Sequence, residues 1–164
     1  MSLYTARAIP SSALAELRVT DDAGRPCVPY TATEGGPLRC CLRPAVAGER
    51  IALVSYAPLR RWAAGTGAEP GAYDEQGPVF VHAEECEGPG PSEAYPFERA
   101  GALRTVRRYD AEGRIAGGRL LELPEAPGEG FDRAFAEAFA DPAVVLVHVR
   151  AVEYGCFQFE VRRP

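Results

Sequence analysis

The chain has 164 residues, 46% of them apolar and 25% charged, enough to bury one core and too few for several domains. All 18 basic residues are Arg, with no Lys and no Asn, which removes chemistry that starts from a lysine amine, such as a Schiff base or a P-loop ATPase. A net charge of −5 argues against nonspecific nucleic-acid binding, and no apolar run nears the roughly 20 residues of a membrane span.

Residues 3–9 read as a first strand, stopped by Pro10. Ser11 or Ser12 can cap a short helix through Leu17, with Ala13, Leu14 and Leu17 on one stripe. Residues 20–37 hold Asp, Gly, Pro and Thr and predict a long loop. The apolar middle of residues 49–57 predicts a strand covered on both faces. Residues 58–76, polar and Gly-rich around Trp62, predict a second loop. Residues 77–83 form a compact strand that tolerates Pro78 at its start. Prolines and glycines make residues 87–96 a loop.

Residues 102–109 and 114–123 flank Asp110-Ala111-Glu112-Gly113, where Asp opens a type I turn and Gly closes it in the left-handed region, so a hairpin is expected. The clearest helix covers residues 129–140, with Phe131, Ala134, Phe135, Ala138 and Phe139 on one stripe and Asp141-Pro142 as the stop. Residues 143–149 predict a buried strand, and residues 156–162 an alternating one with Phe157, Phe159 and Val161 inward. About seven strands and two helices result. They describe an α+β fold with a largely antiparallel sheet, and residues 1–164 as a single domain.

The N-terminus lacks the charged start and apolar core of a secretory signal, so the chain reads as cytoplasmic. Its five cysteines, Cys27, Cys40, Cys41, Cys86 and Cys156, should then be mostly thiols. Cys40 and Cys41 are adjacent and could bridge only through a strained ring.

His82 leaves its strand into Ala83-Glu84-Glu85-Cys86-Glu87, a dense titratable group where scaffolds display function. His82 with Glu84 or Glu85 could exchange protons near neutral pH, though a solvated acidic loop is the plainer reading of each glutamate. His82 and Cys86, joined by Cys41 and Cys156, offer zinc imidazole and thiolate, but no CxxC or HExxH supports the set, and buried thiols often only pack. Cys41 or Cys86 could also act as a thiolate nucleophile activated by His82 or an Arg. Arg107 and Tyr109 share a strand face with Leu103 and Thr105; Arg107 suits a carboxylate or phosphate, or pairs with Glu122 across the hairpin. Tyr56, Trp62 and Tyr73 could wall a pocket, or serve as ordinary packing.

A set of residues carries a family resemblance: Arg39, Cys41-Leu42, Gly48-Glu49, Tyr56, Tyr73, Gly77-Pro78-Val79-Phe80-Val81-His82, Cys86, Arg107-x-Tyr109-Asp110, Phe139-x-Asp141-Pro142, His148, Gly155-Cys156-Phe157 and Arg162. In this the chain resembles the bacterial domain of unknown function 1203 family over about three quarters of its length. The resemblance implies a small α+β protein and supplies no activity. Two departures stand out. The family pattern puts a Cys immediately before the Arg, where this chain has Leu38 and carries a Cys at position 40 instead. The stretch from Tyr56 to Tyr73 is also longer, an insertion that serves as a lid or as a tolerated surface loop.

The leading reading is a cytosolic small-molecule-binding protein of bacterial specialised metabolism, needing no cofactor. Its pocket would be walled by Tyr56, Trp62, Tyr73 and Tyr109, anchored by Arg107, and able to use His82 and Glu84 for acid–base catalysis. Neither nucleic acid nor membrane is an expected partner. One alternative is a metal-binding or thiol-redox protein using Cys41, His82, Cys86 and Cys156, with zinc as the ion; another is a non-catalytic interaction module.

Overall fold

A computed structural model describes residues 2–164. It is an α+β arrangement of two sheets with three α-helices. The first sheet joins β1 (Tyr30–Thr31), β2 (Pro37–Leu38), β3 (Arg43–Pro44), β4 (Arg50–Tyr56) and β5 (Gly77–His82) in the order β1-β4-β5-β2-β3. Its one parallel contact sets Leu38 of β2 against Phe80 of β5. The second sheet is antiparallel throughout: β6 (Leu103–Tyr109), β7 (Ile115–Glu122), β8 (Leu146–Ala151) and β9 (Phe157–Arg162), in the order β7-β6-β8-β9. The expected seven strands are therefore nine in two sheets, because two-residue pairings inside the 20–37 loop and after Cys41 carry no periodicity to read.

Helices α1 (Ser11–Leu17), α2 (Pro58–Thr66) and α3 (Pro127–Ala140) cover the sheets. The stripe on α3 is the one the spacing predicts. Phe131, Ala134, Phe135, Ala138 and Phe139 are buried with Val106, Val147, Val149, Phe159 and Val161 of the second sheet. Gly130 lets α3 start close to the preceding chain: a Cβ there would stand 2.5 Å from Pro124 Cδ. In the hairpin turn Asp110 accepts from the N–H groups of Glu112 and Arg114, and Gly113 takes φ +81°, as expected.

Several expectations fail for identifiable reasons. Residues 3–9 form no strand; only Arg7 bridges, to Glu160, because the N–H groups on either side bond elsewhere, Leu3 to the Asp132 carboxylate, Tyr4 to the Tyr95 hydroxyl and Ile9 to the Arg39 carbonyl. Residues 58–76 are not loop throughout. Pro58 sits at the first helical positions, Leu59, Trp62 and Ala63 form a buried stripe, and Gly67 at φ +78° ends α2. The N-cap of α1 is Pro10, without a side-chain bond, so neither serine caps it as expected. Leu53 is 51% exposed, so β4 is not covered on both faces. In β9 the predicted alternation breaks, since Gln158 and Glu160 are buried along with Phe157, Phe159 and Val161. That second face of β9 is covered too.

The two sheets meet at Phe157, which belongs to the core under the first sheet. Arg39, 3% exposed, donates from Nε to the Phe157 carbonyl at 2.7 Å and from Nη1 to the Pro37 carbonyl. Burial pulls this guanidinium down to about 10. Among the described residues, no helix is long and apolar enough to cross a membrane.

Candidate functional site

Just after β2 the chain makes a single helical turn, with the Leu42 N–H donating to the Leu38 carbonyl at 3.0 Å. Leu42 closes it at φ +56°, a left-handed backbone that costs a branched side chain about 1–2 kcal/mol. Its side chain packs on the core beneath the second sheet, and that packing opposes the strain. The parallel contact with β5 continues through the Arg39 N–H, which donates to the Phe80 carbonyl at 2.9 Å. Cys40 and Cys41 therefore stand beside His82, the last residue of β5.

The thiols and the imidazole converge. Cys40 Sγ is 3.3 Å from His82 Nδ1, and it also accepts the His82 backbone N–H at 3.2 Å. Cys41 Sγ is 3.8 Å from the same Nδ1 and 4.0 Å from Cys40 Sγ. Cys86, four residues beyond His82, completes a group in which the Cys40, His82 and Cys86 ligand atoms lie within 4.8 Å of one another. The far side of the ring is also fixed. Nε2 is 3.1 Å from Glu49 Oε1, and Arg43 grips the same carboxylate with two bonds of 3.1 and 2.6 Å. The Val46 N–H donates to Glu49 Oε2 at 2.7 Å.

Charge differs among these groups. The hydrogen bond from Cys40, helped by the Arg43 guanidinium and the Arg43 N–H, pulls the Cys41 thiol down to about 7 against the effect of burial. That same bond to Cys41, with burial, pushes the Cys40 thiol far above the ordinary thiol range. Burial raises the Cys86 thiol as well. The Arg43 hydrogen bonds hold the Glu49 carboxyl far below the carboxylate range, so it is ionised and ready to accept the ring N–H. The group opens on a cleft of about 460 Å³ whose walls include Cys41, Arg43, Glu49, Glu84, Glu85 and Cys86. Cys41 also lines a second cleft of about 440 Å³, between residues 2–6 and the 89–96 loop.

Residues 35–163 match the model of a family described as a protein of unknown function, DUF1203. The chain belongs to the DUF1203 family. No curated protein and no solved structure gives a match. All the residues of the Cys/His group lie inside the span that matches the DUF1203 model.

Of the residues expected to ligate a metal, Cys41, His82 and Cys86 are brought together in this DUF1203 protein, and Cys156 is not. Cys156 follows the turn after β8, 3.9 Å from the Tyr154 carbonyl, and lines a different cleft. Its place is taken by Cys40: an adjacent pair makes a poor disulfide, yet both thiols face one imidazole. Glu49 and Arg43 were missed as well, though Gly48-Glu49 stood among the family-like residues. Glu84 lies on the wall of the His82 cleft.

The aromatic wall expected around His82 lies elsewhere. Trp62 is 8% exposed and packs with Leu59, Tyr109 and Leu146, because the segment that carries it folds as α2 and buries its apolar stripe. Tyr109 is wholly interior. Tyr56 stacks edge-on to Phe157, with ring centroids 5.6 Å apart. Tyr73 ends a short 3-10 turn and is 40% exposed. Arg107 pairs with Glu75 at 3.0 Å; Glu122 instead stands opposite Leu103.

On the same face of the second sheet, His148 is fully buried and its Nε2 is 3.0 Å from Glu160 Oε2, which Arg162 also engages through Oε1 at 2.6 Å. Burial, reinforced by the Arg150 and Arg107 charges, outweighs the Glu160 hydrogen bond and holds the His148 imidazole neutral, below its ordinary range. Burial raises the Glu160 carboxyl, but the His148 and Arg162 contacts outweigh it and keep it ionised. An unfolded chain takes up a proton on this imidazole near pH 6.5 while the folded one resists it, so stability is full above that pH and falls as pH drops below it. Urea midpoints measured from about pH 7.5 down to about pH 5 should decline, and His148→Gln should flatten that decline. An unchanged slope in the variant would assign the effect to other groups.

Proposed function

We propose that this DUF1203 protein is a metal-binding protein, holding one ion of the zinc class between Cys40, His82 and Cys86 with Cys41 as the adjacent fourth donor. The observation that carries the reading is the two-sided engagement of His82. Its Nδ1 faces the thiols and its Nε2 faces Glu49, itself fixed by Arg43 and the Val46 N–H. A ligating imidazole characteristically gives its other ring N–H to a carboxylate, which fixes the tautomer and raises the basicity of the ligating nitrogen. Donors around a tetrahedral zinc stand about 3.5–3.8 Å apart, for sulfur at about 2.3 Å and nitrogen at about 2.0 Å from the metal. The separations of 3.3, 3.8 and 4.0 Å among Cys40, Cys41 and His82 bracket that range. Three sulfurs and one nitrogen are soft enough to disfavour magnesium and calcium. An ion there would draw the Cys40 and Cys86 thiols to thiolates, releasing their protons on binding.

A second reading rests on Cys41 itself. Its thiol near 7, its contact with His82 Nδ1 and its position on two clefts also suit a thiolate nucleophile with Glu49 orienting the imidazole. One experiment separates the two. Purified protein is stripped with a chelator, titrated with Co(II) and Zn(II), and treated with iodoacetamide before and after loading. The metal reading expects one equivalent bound, thiolate-to-cobalt charge-transfer bands, and protection of Cys41 by zinc. Rapid alkylation of Cys41 that neither ion slows, without such bands, would replace it with the nucleophile reading.

A further inference from the structure

The face of the second sheet turned away from α3 carries a row of charge that the Cys/His site does not use. Register sets Arg107 opposite His148, and His148 opposite Glu160; Arg150 lies opposite Thr105 on the same face. Two guanidiniums meet here over one carboxylate. Glu75 Oε2 is 3.0 Å from Arg107 Nη1 and 3.5 Å from Arg150 Nη2. The arginine side chains are 23% and 13% exposed, whereas the Glu75 side chain is 50% exposed and enters from the segment ahead of β5. Arg150 Nη1 also donates to the Gly155 carbonyl at 3.1 Å, and its buried Nε has no partner among the described residues.

The neighbouring charges do not balance this group. Glu160 is matched by Arg162, and His148 is neutral, so two cations face one half-exposed anion and one positive charge is left over. Holding an unmatched charge away from water is costly, and a second anion relieves it. A cleft of about 200 Å³ opens beside Arg150, lined by Tyr56, Gln76, Pro78, Tyr154, Cys156 and Phe157. The lining mixes rings with polar groups, and the surplus charge is single.

We propose that Arg107 and Arg150 form a binding site for a small monocarboxylic acid, and that Glu75 occupies it as an internal stand-in. A guanidinium fork accepts a carboxylate through two parallel bonds, and Glu75 already shows that such a group reaches both arginines. A monoanion neutralises the surplus, whereas a phosphate dianion would overshoot it. The site is independent of the metal reading and needs no ion at His82.

The test is calorimetric titration of the full chain, chelator-treated and zinc-loaded, with benzoate and with inorganic phosphate. Glu75→Gln removes the internal competitor and should bind benzoate about tenfold more tightly than the parent chain. Arg107→Gln and Arg150→Gln, each built on Glu75→Gln, should lose saturable binding. Arg107 is the more exposed of the two, so its variant decides the matter if the Arg150 variant folds poorly. Benzoate binding that Glu75→Gln leaves unchanged, or that survives loss of Arg107, would overturn the proposal. So would tighter binding of phosphate than of benzoate by the Glu75→Gln protein.

Discussion

Cys40→Ser, His82→Ala and Cys86→Ser should each weaken zinc binding by about 100-fold or more, while Cys27→Ser and Cys156→Ser leave it unchanged. The magnitude follows from sharing the roughly 10–16 kcal/mol of a thiolate-rich zinc site among four donors, so that losing one costs several kcal/mol. Glu49→Gln tests the outer half of the arrangement. It keeps the shape but loses the charge that Arg43 and the Val46 N–H hold against His82 Nε2, and should weaken binding by about 10–100-fold. Competition against a chromophoric chelator measures all of these, with circular dichroism to show that each variant is folded. Equal affinities across the five cysteine and histidine variants would leave the cluster as a packed group of thiols and nothing more.

Phe135→Ala should cost about 3–5 kcal/mol, a large share of the roughly 5–15 kcal/mol that holds a domain folded. Phe135 is fully buried at the centre of an aromatic group. Its ring centroid lies 5.7 Å from Tyr4, 5.4 Å from Tyr95, 5.6 Å from Phe131 and 6.4 Å from Phe159. Truncation leaves a cavity that four rings, each held by another neighbour, cannot close. Thermal unfolding should move down by roughly 10 °C, and the urea midpoint should fall with its slope unchanged. A loss under about 1 kcal/mol would mean that α3 does not seat on the second sheet as described.

The parts of this molecule written as periodic patterns could be read in advance. The stripe on α3, the Asp110–Gly113 turn and the strand ending at His82 all follow from local rules that the rest of the fold leaves in force. Helix α2 was hidden because Gly65 and Gly67 at its C-terminal end and two arginines inside it resemble loop composition, while its stripe needs only Leu59, Trp62 and Ala63. The site was half legible. His82 and Cys86 are neighbours in sequence and showed themselves; Cys40, Cys41 and Glu49 reach them only through the single parallel contact between β2 and β5 and the β4–β5 pairing. No spacing rule reports a contact made by two residues of one short strand. The expected aromatic pocket failed for the complementary reason, since Trp62 and Tyr109 satisfied each other inside the core.

Arg39 joins the Cys40–Cys41 turn to the second sheet. It directly precedes Cys40, and its guanidinium is bonded to the backbone of Phe157, a wall of the cleft beside Arg150. The thiol-bearing turn and that wall are thus tied through one buried guanidinium.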